Sequence, residues 1–236
     1  MLVASADDRV GMRKAISFDR TALGAAAAAA FLVTALLSAP APAFAEWFSE
    51  TSVPSATAMA EGTRQLGPSA YRTMCRREPH LCRADRRGSR SKSAIAMTDA
   101  HWSTVLRINA DVNAAIHPQT DFELYGVKDH WTAGVDLGDC EEYIVTKKMR
   151  LIEAGFRADQ LLYAVVRGFR DPYHAVLVLR TTDGDFILDN EVDRVLPWEE
   201  TGYDFVIRQS ASDPGSWVRI IGRAPANRGK NIAQLQ

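Results

Sequence analysis

The sequence predicts an α+β protein in which N-terminal helices pack on an antiparallel β-sheet. Apolar residues recur at three- and four-residue steps in the middle of the chain, whereas short runs rich in Val, Leu and Ile, separated by turn residues, fill the second half. With 47% hydrophobic and 24% charged residues in 236, the chain can build a core. A formal net charge of -1 argues against a dedicated nucleic-acid binder, so we expect no nucleic-acid partner.

Residues 1–45 have the organisation of a signal peptide. Arg13 and Lys14 precede an uncharged run rich in Ala and Leu, and residues 43–45 read A-F-A, a small-residue cleavage site. An uncleaved membrane anchor is the alternative, because the uncharged stretch is long enough to cross a bilayer. Two prolines just before the small-residue site favour cleavage. The sequence therefore predicts an exported, periplasmic protein.

The chain has three cysteines, and export to an oxidising compartment changes their interpretation. Cys75 and Cys82 are close enough to form a disulfide, which leaves Cys140 as a single thiol. Eight basic residues between positions 71 and 92 predict a solvated loop around the pair, with a patch for an acidic partner or anionic lipid as the alternative. Residues 46–96 are thus interpreted as a polar linker or an extended arm, over residues 46–67, followed by this basic loop.

Two helices are predicted next. Residues 97–116 carry an amphipathic pattern that ends before Pro118. Residues 140–154 carry a second one, with Gly155 placed to follow the helix end. Cys140 therefore opens a helix.

Strands of an antiparallel sheet are predicted beyond the second helix. They cover residues 161–166, 174–179, 186–188, 203–208 and 217–221. A polar tail at 223–236 is expected to be poorly ordered, which leaves 97–222 as the main domain.

Cys140, His174 and Asp189 form a candidate catalytic triad. A thiol at a helix N-terminus meets the positive end of the helix dipole, which favours the thiolate. His174 and Asp189 flank a predicted hairpin turn, so their side chains should lie near the same level, through a diagonal contact or a bulge. Asp189 could then orient His174, which would take the proton from Cys140.

The spacing alone leaves other interpretations open. A lone Cys in a helix is often core packing, and Asp189 with its neighbour could form an ordinary turn. A zinc site is disfavoured, because structural zinc sites show more closely paired ligands.

Four ordered motifs resemble the bacterial transglutaminase-like cysteine proteinases, a family that includes periplasmic adhesin-cleaving enzymes. They read DHW at 129–131, GDCEEY at 138–143, HAVL at 174–177 and LDN at 188–190, and the similarity extends over most of the chain from about residue 71. The resemblance implies a papain-like or transglutaminase-like fold. It also implies peptide-bond hydrolysis through a thioester, with Cys140 as nucleophile, His174 as general base and acid, and Asp189 as orienting group.

The same resemblance suggests calcium beside the nucleophile, at Asp139 and Glu141. Carboxylates that flank Cys140 would raise its pKa, and a bound divalent cation would offset that effect. Asp139 and Glu142 also have the spacing of a capping box, so a purely structural role remains open. For the oxyanion, the backbone N–H of Cys140 is one natural donor, and a side chain from 129–131 could supply another.

Three functions remain as interpretations. The favoured one is an exported cysteine endopeptidase that cleaves a protein substrate, with a cell-surface adhesin as candidate substrate and an inner-membrane regulatory receptor as candidate partner. A transglutaminase or amidase would use the same three residues. A non-catalytic binding module of the same fold is disfavoured, since binding does not require an intact Cys, His and Asp.

Overall fold

A computed structural model describes residues 56–82, 94–168 and 172–222. Within these residues, helices pack against a seven-stranded antiparallel sheet, which confirms the predicted α+β class. The predicted signal peptide and the polar tail at 223–236 lie outside the described residues. In the described part of the chain, every helix is too short or too polar to cross a bilayer.

The sheet has the order β1-β9-β8-β4-β5-β6-β7, and each neighbouring pair is antiparallel. Its strands are β1 Ala60–Gln65, β4 Leu161–Arg167, β5 His174–Thr181, β6 Gly184–Leu188, β7 Leu196–Pro197, β8 Asp204–Gln209 and β9 Trp217–Ile221. The five predicted strands are all present, and β1 and β7 are added at the two edges.

Both faces of the central strands are buried. In β5, Ala175, Leu177 and Leu179 contribute to the core that contains the helices, whereas Val176 and Val178 contribute to a second core on the opposite face. This follows from the two-residue period of a strand. It also explains why the strands read as continuous apolar runs rather than as alternating ones.

Two long helices form the other layer of the main core, as predicted. They are α2, Asp99–Ala115, and α4, Cys140–Glu153. The Thr98 hydroxyl caps α2 by accepting the backbone N–H of His101 at 3.2 Å. Gly155 follows the end of α4 with a φ of 101°, the left-handed conformation that ends many helices at glycine.

A smaller unit lies between these helices along the chain. The short strands β2, His117–Pro118, and β3, Leu137–Gly138, pair in parallel, and the helix α3, Asp121–Tyr125, lies between them in sequence. Because β3 ends where α4 begins, this pairing brings the start of α3 next to the start of α4. The Asp121 backbone N–H donates to Asp139 Oδ2 at 3.3 Å.

The segment predicted as a linker, 46–67, instead contains the edge strand β1, which pairs with β9. The strand is polar and mostly exposed, so it lacks the apolar alternation that identifies a strand in a sequence. Its partners hold it instead: the Glu61 carboxylate accepts the Arg208 guanidinium at 2.7 Å. Residues 60–65 are therefore not a free linker, and of the two interpretations the extended arm is the one that agrees with this strand.

The segment predicted as a basic loop, 71–92, begins with a helix, α1, Ser69–Arg77. Tyr71 and Met74 lie three residues apart and are buried in the main core. The basic residues around them, Arg72, Arg76 and Arg77, masked this short apolar face in the sequence. The predicted disulfide between Cys75 and Cys82 is present. Residues 83–93, with the remaining basic side chains, lie outside the described residues.

Candidate active site

Cys140 is the first residue of α4, directly after the N-cap Asp139, and its side chain is partly buried. Glu142 folds back to accept the backbone N–H of Asp139 at 3.1 Å. Gly138 permits this turn, because a Cβ at that position would lie 2.5 Å from the Glu142 side chain. The backbone N–H of Ala175 lies close enough to the Cys140 thiol to lower its pKa, so the thiol lies near the first residues of β5.

His174 and Asp189 meet on neighbouring strands. The β5–β6 ladder pairs Thr181 with Gly184 and Leu177 with Leu188, so its turn holds only two residues. Continued by one residue, the ladder sets Asp189 two residues away from His174, and the contact is diagonal. His174 Nε2 and Asp189 Oδ1 are 2.8 Å apart in a buried environment.

Asp189 is held by further donors. Its Oδ1 also accepts the Glu191 backbone N–H at 3.0 Å, and its Oδ2 accepts the Tyr203 hydroxyl at 2.5 Å. Burial would raise the pKa of Asp189, but the hydrogen bonds from His174, Tyr203 and Glu191 outweigh it and lower that pKa. Burial lowers the pKa of His174, and the Asp189 carboxylate outweighs it, so that pKa is raised. The pair thus favours a carboxylate beside an imidazolium.

The thiol environment differs from the one expected at a helix N-terminus. Burial, the charge of Glu141 and the hydrogen bond that the thiol donates to Glu141 Oε2 at 2.9 Å raise the pKa of Cys140 well above its ordinary value. Asp139 adds to this effect, and the Ala175 N–H opposes it. The helix start therefore does not by itself keep the thiol ionised, and the flanking carboxylates raise the pKa of Cys140 as the sequence predicted.

Acidic groups crowd the start of α4. Oxygen atoms of Asp121, Asp139 and Glu142 lie within 4.8 Å of one another, and ligand atoms of Asp139, Cys140 and Glu141 form an overlapping group of the same size. Burial, followed by the charges of Asp121 and Asp139, raises the pKa of Glu142 to about 8. Burial and the charge of Asp139 likewise help to raise the pKa of Asp121, against a hydrogen bond from the His130 N–H.

This cluster fits a hard divalent cation. Asp121 Oδ1 and Asp139 Oδ1 are both buried without a hydrogen-bond partner among the described residues. Carboxylate oxygens are the ligands that calcium prefers, and a cation would relieve both the repulsion and the unpaired oxygens. The predicted ligands Asp139 and Glu141 lie here, but sequence reasoning missed Asp121 and assigned Glu142 only to capping. Asp121 could not be identified from the sequence, because it lies 18 positions before Asp139 and only the folded chain brings the two residues together.

Trp131, from the segment expected to supply an oxyanion donor, is a core residue. Its indole N–H donates to Asp129 Oδ1 at 2.7 Å, and its ring packs edge-on against Tyr163 with centroids 5.3 Å apart. The side chain is 1% exposed. Trp131 therefore packs the core and its N–H is already occupied.

A thiol-bearing helix start packed on an antiparallel sheet that carries a His–Asp pair defines the transglutaminase-like fold class. Residues 61–224 match the family described as bacterial transglutaminase-like cysteine proteinase, and the chain belongs to this family. Membership identifies it as a cysteine peptidase, which is a hydrolase.

Two solved structures of Legionella pneumophila LapG are similar to this chain. The calcium-bound form is 20% identical over 56% of this chain and 75% of that chain, with a TM-score of 0.43. The EGTA-treated form is 21% identical over 57% of this chain and 77% of that chain, with a TM-score of 0.41. A search of curated proteins found no match.

Proposed function

We propose that this protein is an exported cysteine endopeptidase that cleaves a protein substrate with Cys140, His174 and Asp189. The observation that carries the proposal is the buried His174–Asp189 pair, 2.8 Å apart. His174 is followed in β5 by Ala175, whose backbone N–H is near enough to the Cys140 thiol to lower its pKa. This arrangement supplies a nucleophile, a base and a group that orients the base. Family membership supports the same chemistry.

In the first step, the neutral form of His174 takes the thiol proton and the Cys140 sulfur forms a bond with the scissile carbonyl carbon. Asp189 binds Nε2 of His174. Nδ1 is therefore the ring nitrogen that accepts the thiol proton in this mechanism. The carbonyl oxygen gains a negative charge, which the Cys140 backbone N–H can stabilise. The first N–H groups of a helix have no acceptor within the helix, so this donor is available to bind the substrate oxygen.

In the second step, the carbon–nitrogen bond breaks and the leaving amine takes the proton from His174, which leaves a thioester on Cys140. Water then attacks the thioester carbon, and His174 accepts a proton from that water. The carbon–sulfur bond breaks, the substrate carboxylate leaves, and the proton returns to the sulfur. Asp189 keeps the ring oriented and stabilises the imidazolium throughout.

We further propose that Asp139 and Glu141 bind calcium, together with the neighbouring carboxylates of Asp121 and Glu142. The crowded, partly unpaired oxygens described above support this site. When bound, the cation would neutralise the carboxylates that keep Cys140 in its thiol form. Glu141, which accepts the thiol hydrogen bond, is the residue that links the acidic cluster to the nucleophile.

We also propose a cellular compartment, a substrate class and a regulatory partner for this protein. The signal-peptide pattern of residues 1–45 supports a periplasmic location. On the family resemblance, we propose a cell-surface adhesin as the protein substrate and an inner-membrane receptor as a regulatory partner.

The proposal is tested by incubating candidate surface proteins with the mature protein and with Cys140→Ala, each in CaCl2 or in EGTA. We expect new fragments with the wild type in calcium and an intact substrate with Cys140→Ala. Cleavage by Cys140→Ala would rule out the assignment. A parallel reaction with a fluorescent primary amine separates hydrolysis from acyl transfer: incorporation of the amine without fragments would identify a transglutaminase instead.

A further inference from the structure

Cys140 and a buried lysine share one face of α4. Lys147 lies seven residues after Cys140, which is about two turns or 10 Å along the same side of the helix. Its side chain is completely buried. An ammonium group is costly to bury unless its hydrogen bonds are satisfied, so its partners indicate why it is there.

The partner of Lys147 is the backbone of the orienting aspartate. Lys147 Nζ donates to the Asp189 carbonyl oxygen at 2.7 Å. Asn113 Nδ2, from α2, donates to the same oxygen at 2.9 Å and to Asp193 Oδ1 at 2.8 Å. The residue that binds His174 is thereby connected to both helices of the main core.

We propose that Lys147 is a positioning residue of the triad, which ties the backbone of Asp189 to the helix that carries Cys140. This inference rests on the proposed function and adds a residue to it. The helix α4 then carries the nucleophile at its first residue and, two turns later, the lysine that holds the backbone of Asp189. His174 is held between these two fixed points.

The charge balance around Lys147 agrees with this role. Burial lowers the pKa of Lys147 to about 7, while the charges of Asp189 and Asp193 oppose that shift. The negative groups that face the ammonium are therefore the aspartate it positions and the aspartate that Asn113 contacts. A lysine that served only to fill space could be replaced by an apolar side chain without these costs.

Lys148 offers a matched control. It is the next residue of α4, is equally buried, and also has its pKa lowered by burial to about 7. Its ammonium lies 4.4 Å from the centre of the Tyr163 ring and has no hydrogen-bond partner among the described residues. Lys148 thus shares the burial and the charge of Lys147 but lacks the contact with Asp189.

The experiment compares Lys147→Met with Lys148→Met in the mature protein. The probe is iodoacetamide, and the rate of Cys140 alkylation is measured across the pH range together with the NMR signal of the His174 Nε2–H. We expect Lys147→Met to alkylate at least about tenfold more slowly at neutral pH, a partial loss of the roughly 10²–10⁴-fold that a positioned base contributes, and to lose or shift the ring N–H signal. Lys148→Met should keep the wild-type alkylation rate and the wild-type His174 N–H signal.

Wild-type rates and a wild-type His174 signal in folded Lys147→Met would overturn the inference. If Lys147→Met does not fold, Lys147→Gln, which keeps a polar group but shortens its reach, is judged by the same two readouts. Failure of the proposed function looks different: the wild-type protein itself would then show no substrate cleavage that depends on Cys140.

Discussion

The Tyr203 hydroxyl donates to Asp189 Oδ2 at 2.5 Å, on the carboxylate oxygen opposite the one that holds His174. Each Asp189 oxygen therefore has its own side-chain donor, and the carboxylate is fixed from two sides. Tyr203 directly precedes β8, so the contact connects two separate parts of the sheet. The orientation of the base depends on tertiary structure as much as on the hairpin that carries His174 and Asp189.

Tyr203→Phe removes one of these donors, together with the weaker contact of the same hydroxyl with Glu191 Oε2 at 3.4 Å. A hydrogen bond to a charged group contributes about 1.5–3 kcal/mol, so we expect the free energy of unfolding at neutral pH to fall by that order. Urea unfolding measures the change. The Asp189 carboxylate should also become easier to protonate, because the Tyr203 hydrogen bond helps to lower its pKa. An unchanged unfolding free energy would show that the carboxylate does not need this donor.

The His174–Asp189 pair should stabilise the fold most strongly in weak acid. The pKa of His174 is raised above its ordinary value of 6.5, so its contribution is complete below that pH and is lost as the pH rises through the folded-state value. The pKa of Asp189 is lowered from 3.8, so its contribution is present above that pH and is lost as the pH falls through the folded-state value.

Asp189→Asn should therefore cost more unfolding free energy near pH 5 than near pH 9, because the contribution of the imidazolium is lost as the pH rises. Chemical unfolding of both proteins at the two pH values measures this difference. A penalty that is equal at the two pH values would contradict a pair of opposite charges.

Glu141→Gln tests why the thiol is held in its neutral form. The carboxylate raises the pKa of Cys140 through its charge and through the hydrogen bond that it accepts from the thiol. Its loss should make iodoacetamide alkylation faster in EGTA, because more thiolate is present at a given pH. It should also weaken any acceleration by calcium. A slower reaction in EGTA would show that Glu141 assists the thiolate instead.

Calcium should stabilise the folded protein, because a ligand that binds only the folded state raises the unfolding free energy. We expect a higher melting temperature in CaCl2 than in EGTA, and a smaller increase for Asp121→Asn, which removes a buried carboxylate from the cluster. MgCl2 provides the ion control, since magnesium demands a tighter octahedral site. Identical melting curves in CaCl2 and EGTA would contradict the proposed ion site.

Local patterns predicted most of the secondary structure. The steps of three and four residues located α2 and α4, and apolar runs between turns located the central strands. The diagonal relation of His174 and Asp189 was also accessible, because two strands joined by a short turn have few registers. The polar edge strand β1 was missed because backbone pairing with β9 and the Glu61–Arg208 contact hold it, rather than an apolar pattern.

The surroundings of the site could not be predicted in the same way. Asp121 reaches the acidic cluster through the β2–β3 pairing, and Tyr203 reaches Asp189 from beyond β7. A lysine is rarely fully buried, so nothing in the sequence marks Lys147 as a core residue. In the structure it is completely buried. The sequence placed two opposing influences on the thiol, the helix start and the flanking carboxylates, and the positions of Glu141 and Asp139 show that the carboxylates raise the pKa of Cys140.

The central claim is that His174 activates Cys140 as a nucleophile. The most direct test is the second-order rate of Cys140 alkylation by iodoacetamide, measured across the pH range in calcium for the wild type and for His174→Ala. We predict that the wild-type sulfur reacts at a pH well below that of a free thiol, and that His174→Ala shifts this profile to the range of an ordinary cysteine. Superimposable profiles for the two proteins would contradict the account.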